Sequence, residues 1–97
     1  METTVLRRYQ IKPGEMDAFL VEWQQAARMR KAHGFNVLCA FVNEEISEFT
    51  WAIRYDGDDF DAATKRFKED PGNEAVLALA RFLDDKHVAI VRSEPIP

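Results

Sequence analysis

The nine residues Phe49-Thr50-Trp51-Ala52-Ile53-Arg54-Tyr55-Asp56-Gly57 decide how the rest of the chain is read. Phe49, Trp51, Ile53 and Tyr55 recur at period two, as the apolar face of a strand does. The alternate set, Thr50, Ala52 and Arg54, is small and mixed instead of strongly charged. A strand with one face in water alternates apolar with strongly polar residues. This one reads as a central strand covered on both sides, and Asp56-Gly57 ends it.

Upstream, Phe35-Asn36-Val37-Leu38-Cys39-Ala40-Phe41-Val42 forms a strand apolar on both faces. The short polar run 43–48 joins it to the central strand as a hairpin. Further upstream, Thr3 to Ile11 is rich in β-branched and aromatic residues and reads as the first strand, stopped by Lys12-Pro13-Gly14. The period then becomes helical. Met16, Phe19, Leu20, Trp23, Ala26, Ala27 and Arg30 follow the i, i+3, i+4, i+7 spacing of one helix face, and His33-Gly34 closes the helix with a left-handed cap.

Downstream, Asp58 or Asp59 caps a second helix with Phe60, Ala63 and Phe67 on one face. Asp70-Pro71-Gly72 interrupts it, and helical spacing resumes at Val76, Leu79, Ala80 and Leu83. The last strand runs from Lys86 to about Ser93. The order β-α-β-β-α-β is the split βαβ, ferredoxin-like arrangement of an α+β domain with a four-stranded antiparallel sheet. Right-handed crossovers put both helices on one sheet face. The other face is then bare, and an apolar bare face marks an interaction surface. The expected partner is a second copy, the two sheets facing each other as a dimeric α/β barrel.

Composition bounds the function. The 97 residues are read as one domain, 1–97, with 46% apolar and 31% charged residues. A net charge of −4 without a basic stripe argues against nucleic acid. No stretch approaches the ~18 apolar residues of a membrane span. The N-terminus lacks the basic and apolar regions of a secretion signal, so the cytoplasm is the expected location. Cys39 is the one cysteine, which excludes an internal disulfide and a cysteine zinc site; its apolar surroundings predict a plain buried thiol.

Each chemistry-bearing residue has a structural role that competes with a functional one. His33 before Gly34 serves a helix end. His87, at the start of the last strand, is a conceivable haem ligand or base but has no identifiable partner, and no metal or cofactor is implied. Asp56, Asp58, Asp59 and Asp61 lack the order of a calcium loop and suit helix capping. The candidate ligand-binding set is Arg7, Tyr9, Trp51, Arg54 and Tyr55, on the two central strands. Arginine there can clamp an anionic group while Trp and Tyr stack a ring. The competing role is ion pairing with Glu48, Glu94 or another subunit. Parity puts Arg54 opposite Trp51 and Tyr55, and the sequence leaves open which face looks into the barrel.

Three segments together resemble the NIPSNAP family of the dimeric α/β-barrel superfamily: Arg7-Arg8-Tyr9-Gln10-Ile11-Lys12-Pro13-Gly14 leading into Met16-Asp17-Ala18-Phe19-Leu20, the helix ending at His33-Gly34-Phe35, and the quoted strand 49–57. The resemblance implies a ferredoxin-like subunit that dimerises. In the wider superfamily it points to cofactor-free monooxygenases, haem-degrading enzymes and lactone isomerases, whose catalytic sets are not evident in this chain. Two functions stay open: a small-molecule site for an apolar or aromatic, anionic ligand, with or without cofactor-independent catalysis, or a non-catalytic homo-oligomeric interaction module with a filled barrel.

Overall fold

Alternation in the first strand sorts its residues at once. Val5, Tyr9 and Ile11 are buried on one face, whereas Arg8 on the other is exposed. The computed structural model describes residues 2–97. Its elements are β1 (Thr3–Ile11), α1 (Met16–Ala32), β2 (Phe35–Asn43), β3 (Glu48–Tyr55), α2 (Phe60–Glu69), α3 (Glu74–Leu77) and β4 (Leu83–Val91). Short 3₁₀ turns, Pro71–Asn73 and Ala78–Phe82, flank α3. The four strands form one antiparallel sheet in the order β2-β3-β1-β4, so β1 and β3 are central, as expected. The topology is ferredoxin-like.

Local chemistry accounts for the element ends. The Asp59 carboxylate accepts a hydrogen bond from the Ala62 amide at 2.9 Å and caps α2. Gly34 takes φ +86° just past α1, a conformation that costs other residues about 1 kcal/mol or more. Arg30 and Lys31 occupy the last turn of α1, where its dipole favours cations. Asp70 accepts from the Gly72 amide at 2.7 Å, which turns the chain out of α2. The interrupted second helix is therefore real, and Asp70-Pro71-Gly72 is its cause.

Both helical segments pack on the face that carries Val5, Tyr9, Ile11, Phe49, Trp51 and Ile53. Phe19 is the hub at one end, edge-on to Phe49 at 5.0 Å and to Phe82 at 6.1 Å. Trp23 meets Phe49 at 4.9 Å and Trp51 at 5.4 Å. Such ring pairs add to burial at about 0.5–1.5 kcal/mol each.

Three expectations change. β4 begins at Leu83, three residues before the expected Lys86, and ends at Val91 instead of Ser93. A register shift opposite Gln10 and Ile11 lets the strand absorb Asp84, which broke the apparent pattern. Cys39 is half-buried, not buried, because a register shift at Val37/Cys39 sets it on the face away from the helices. That face is also less apolar than β2 and β3 implied. One apolar row, Cys39, Ala52, Leu6 and Ala89, crosses all four strands. Beside it lie the row Phe41, Thr50, Arg8, His87 and the row Asn36, Arg54, Thr4, Val91. No helix among the described residues is long and apolar enough to cross a membrane.

Candidate functional site

Between the sheet and the interrupted helix lies a cavity of about 230 Å³. β1 supplies Arg7 and Tyr9, β3 supplies Trp51, and α1 supplies Arg30. Thr64, Phe67 and Lys68 of α2 and the stretch from Asn73 to Ala80 form the opposite wall, with Leu83 and Lys86 of β4 at the edge. The break at Asp70–Gly72 opens this space. A continuous helix would carry its apolar face straight along the sheet; here the chain turns away and back.

The polar groups within it are almost all donors. Arg7 Nε donates to the Tyr9 hydroxyl at 2.7 Å, so that oxygen's own hydrogen is free to point elsewhere. Arg30 is 8% exposed, and its guanidinium lies 4.0 Å from the Phe67 ring centre and 5.3 Å from that of Phe35. Stacking on two rings holds a cation without neutralising it. Burial, helped by the nearby Arg7 charge, pulls the Arg30 pKa down to about 10. Among the described residues neither Arg7 nor Arg30 has a carboxylate partner. Arg30 Nε, Trp51 Nε1, Thr64 Oγ1 and Asn73 Oδ1 are buried without a hydrogen-bond partner among the described residues. Exposed Lys68 and Lys86 add positive charge at the rim. Two unneutralised guanidiniums in a low-dielectric pocket attract an anion strongly. His, Asp and Glu are missing from the described lining, so no side-chain general base of the usual kind faces the cavity.

Of the five residues singled out from the sequence, Arg7, Tyr9 and Trp51 meet here. Tyr55 shares their sheet face but sits at the far end, tilted against Phe35 at 5.3 Å and within 3.4 Å of Arg66. Arg54 projects from the opposite face and is paired with Asp56 at 2.7 Å and Glu2 at 3.6 Å. Ion pairing thus accounts for Arg54, as it does for Arg8 with Glu48 at 3.2 Å. His33 joins Asp70 at 2.7 Å and bridges the end of α1 to the break after α2. His87 lies opposite Arg8 on the open face, away from the cavity.

Sequence reasoning misses Arg30, Thr64 and Asn73 as site residues. For Arg30 a signal exists: it is a charged residue in the apolar stripe of α1, one turn after Ala26 and Ala27. Its place near the helix end suggests dipole compensation, which is only part of its role. Nothing local marks Asn73, whose position depends on how the 3₁₀ turn folds back.

The NIPSNAP family model matches residues 2–93. A NIPSNAP family protein from Agrobacterium tumefaciens is 18% identical, with a TM-score of 0.83, covering 97% of this chain and 94% of that one. A NIPSNAP domain protein from Burkholderia xenovorans is 16% identical at a TM-score of 0.82, covering 97% and 95%. SnoaB, a cofactor-independent oxygenase from Streptomyces nogalater, is 14% identical at a TM-score of 0.77, covering 98% and 95%. No curated protein matches the chain.

Proposed function

The chain belongs to the NIPSNAP family, and from that premise we propose that it binds a small apolar or aromatic molecule bearing an anionic group in the cavity between sheet and helices. The observation that carries this reading is the pair Arg7 and Arg30, buried or half-buried at one cavity with no carboxylate among the described residues to neutralise them. Uncompensated buried charge is costly. A bound anion removes the cost, while Trp51, Phe67 and Leu79 offer the ligand's body an apolar surface. At about 230 Å³ the space is smaller than the ~300–1,000 Å³ typical of ligand sites, which favours a single-ring compound.

The description of SnoaB as a cofactor-independent oxygenase supports the idea that this fold can host chemistry on an organic molecule. The lining itself, rich in donors and without a base, supports binding and orientation first. The alternative, a filled interaction module, calls for a barrel without a ligand-sized space, and the cavity counts against it. Self-association is a separate part of the proposal, through the open sheet face. The free thiol of Cys39 suits a reducing compartment, which supports a cytoplasmic location.

Thermal unfolding with benzoate, naphthoates and quinones tests the site. Aromatic acids should raise Tm in proportion to the logarithm of their concentration, neutral quinones less so. Arg7→Met, Arg30→Met and, more weakly, Tyr9→Phe should reduce the shift. Equal stabilisation of wild type and Arg30→Met by the acids, or none of the wild type, would sink the reading.

A further inference from the structure

Asn73 is 7% exposed and lies in the cavity wall, and its two amide atoms differ in what they meet. Nδ2 donates to the Lys68 carbonyl at 3.4 Å, which fixes which way the amide faces. Oδ1 is then left buried with no donor among the described residues. The donors of Arg7, Arg30, Trp51, Lys68 and Lys86 line the same cavity without bonding to it. Asn73 Oδ1 is also the one side-chain atom of the described lining that can only accept.

We infer that the ligand of the anion site also carries a hydrogen-bond donor, an un-ionised hydroxyl or an N–H, and that Asn73 selects for it. The inference rests on the binding reading given above and narrows its ligand class to hydroxylated or amino-substituted ring acids. The anionic group meets the two guanidiniums. The donor satisfies Asn73 Oδ1. A ligand without it leaves a buried acceptor unpaired, and sites built around such a group discriminate sharply against the analogue that lacks the donor. A phenolic hydroxyl titrates near 10, so it keeps its proton at neutral pH.

Titration calorimetry at pH 7 with benzoate, its three monohydroxy isomers and the three matching methoxy isomers tests this. The methoxy compounds keep the oxygen and remove the donor. At least one hydroxybenzoate should bind the wild type about tenfold tighter than both benzoate and its own methoxy counterpart. Asn73→Leu should bring hydroxy and methoxy forms within about twofold of each other. Acids that bind through Arg30 with no hydroxyl preference in the wild type overturn this inference and leave the anion site standing. A preference that survives in Asn73→Leu overturns it as well. If no benzoate of any kind binds, the anion site itself fails. Should Asn73→Leu not fold, as judged by circular dichroism, the wild-type series alone still separates these outcomes: a hydroxyl preference supports the inference and its absence overturns it.

Discussion

A guanidinium held away from water binds its proton less tightly, and Arg30 shows by how much. Its pKa falls from the ordinary arginine range to about 10, chiefly through burial and secondarily through Arg7. A shift of that size corresponds to a cost of about 3 kcal/mol in keeping the charge folded. Stacking on Phe67 and Phe35 returns about 2 kcal/mol, the figure for a desolvated cation over a ring. Replacing the charge with an isosteric apolar chain should therefore stabilise the ligand-free protein. Arg30→Met is expected to raise the unfolding free energy by about 1 kcal/mol at pH 7, measured in urea, while losing its response to aromatic acids. The pH dependence has a definite sign. Below about 10 both folded and unfolded Arg30 are protonated and the cost is constant; as pH rises above about 10 the folded state releases its proton first, so the wild type gains on the variant. A gap between wild type and Arg30→Met that stays flat across that window, or opens the other way, contradicts the account.

At the level of elements, the break after α2 is the device that makes room for a cavity, and Asp70 holds it. Its carboxyl is kept below the usual aspartate range first by the Gly72 amide and then by His33. A lowered carboxylate pKa stabilises the fold above the unfolded value and loses that contribution as pH falls through the folded one. Asp70→Ala should melt lower than wild type at pH 7, with the two curves converging as the pH drops below about 4, where aspartate protonates. The other element-level constraint is the end of β3. The Tyr55 ring lies between Gly34 and Gly57: a Cβ at Gly57 would come within 2.6 Å of it, whereas one at Gly34 would make an ordinary 3.6 Å contact. Gly57→Ala should cost about 1–3 kcal/mol through displacement of that ring, and Tyr55→Leu should relieve most of it. Gly34→Ala should cost about 1 kcal/mol through its left-handed backbone alone, with or without Tyr55. A double-mutant cycle separates the two cases. These elements also mark what a sequence can convey. Period-two and helical spacing make β1, α1 and β3 legible because each buries one regular face, while β2 is legible from its unbroken apolar run. The break at Asp70-Pro71-Gly72 is legible from Pro and Gly, but its consequence is not: where the chain goes after leaving the helix depends on tertiary packing. So Arg7, Tyr9 and Trp51 can be found on their strands, and Arg54 and Tyr55 with them, while Asn73 and Thr64 on the far wall cannot.

For the whole molecule the question is what covers the second face of the sheet. The chain forms a slab of 42 × 39 × 18 Å, one sheet thick and one helical layer deep. Ala52 is already 8% exposed on the uncovered side, while Phe41 is 65% exposed nearby. The row Cys39, Ala52, Leu6, Ala89 is small in profile, which lets a second sheet approach to about the 10 Å of face-to-face packing. The charges beside it are already paired, Arg8 with Glu48 and Arg54 with Asp56, so a facing copy need not leave them bare. A small domain gains most by burying more surface in this way. The proposed assembly is a homodimer joined through these faces, with the ligand cavity on the outer, helical side of each sheet and independent of the contact. Sedimentation at micromolar concentration should give twice the mass of one chain. Leu6→Glu, which sets a carboxylate in the middle of the apolar row, should give a monomer of unchanged far-ultraviolet dichroism that still binds aromatic acids through Arg30. A wild type that sediments as a monomer removes the dimer. A Leu6→Glu protein that stays dimeric shifts the contact away from this face, and one that loses acid binding shows that the cavity depends on the assembly.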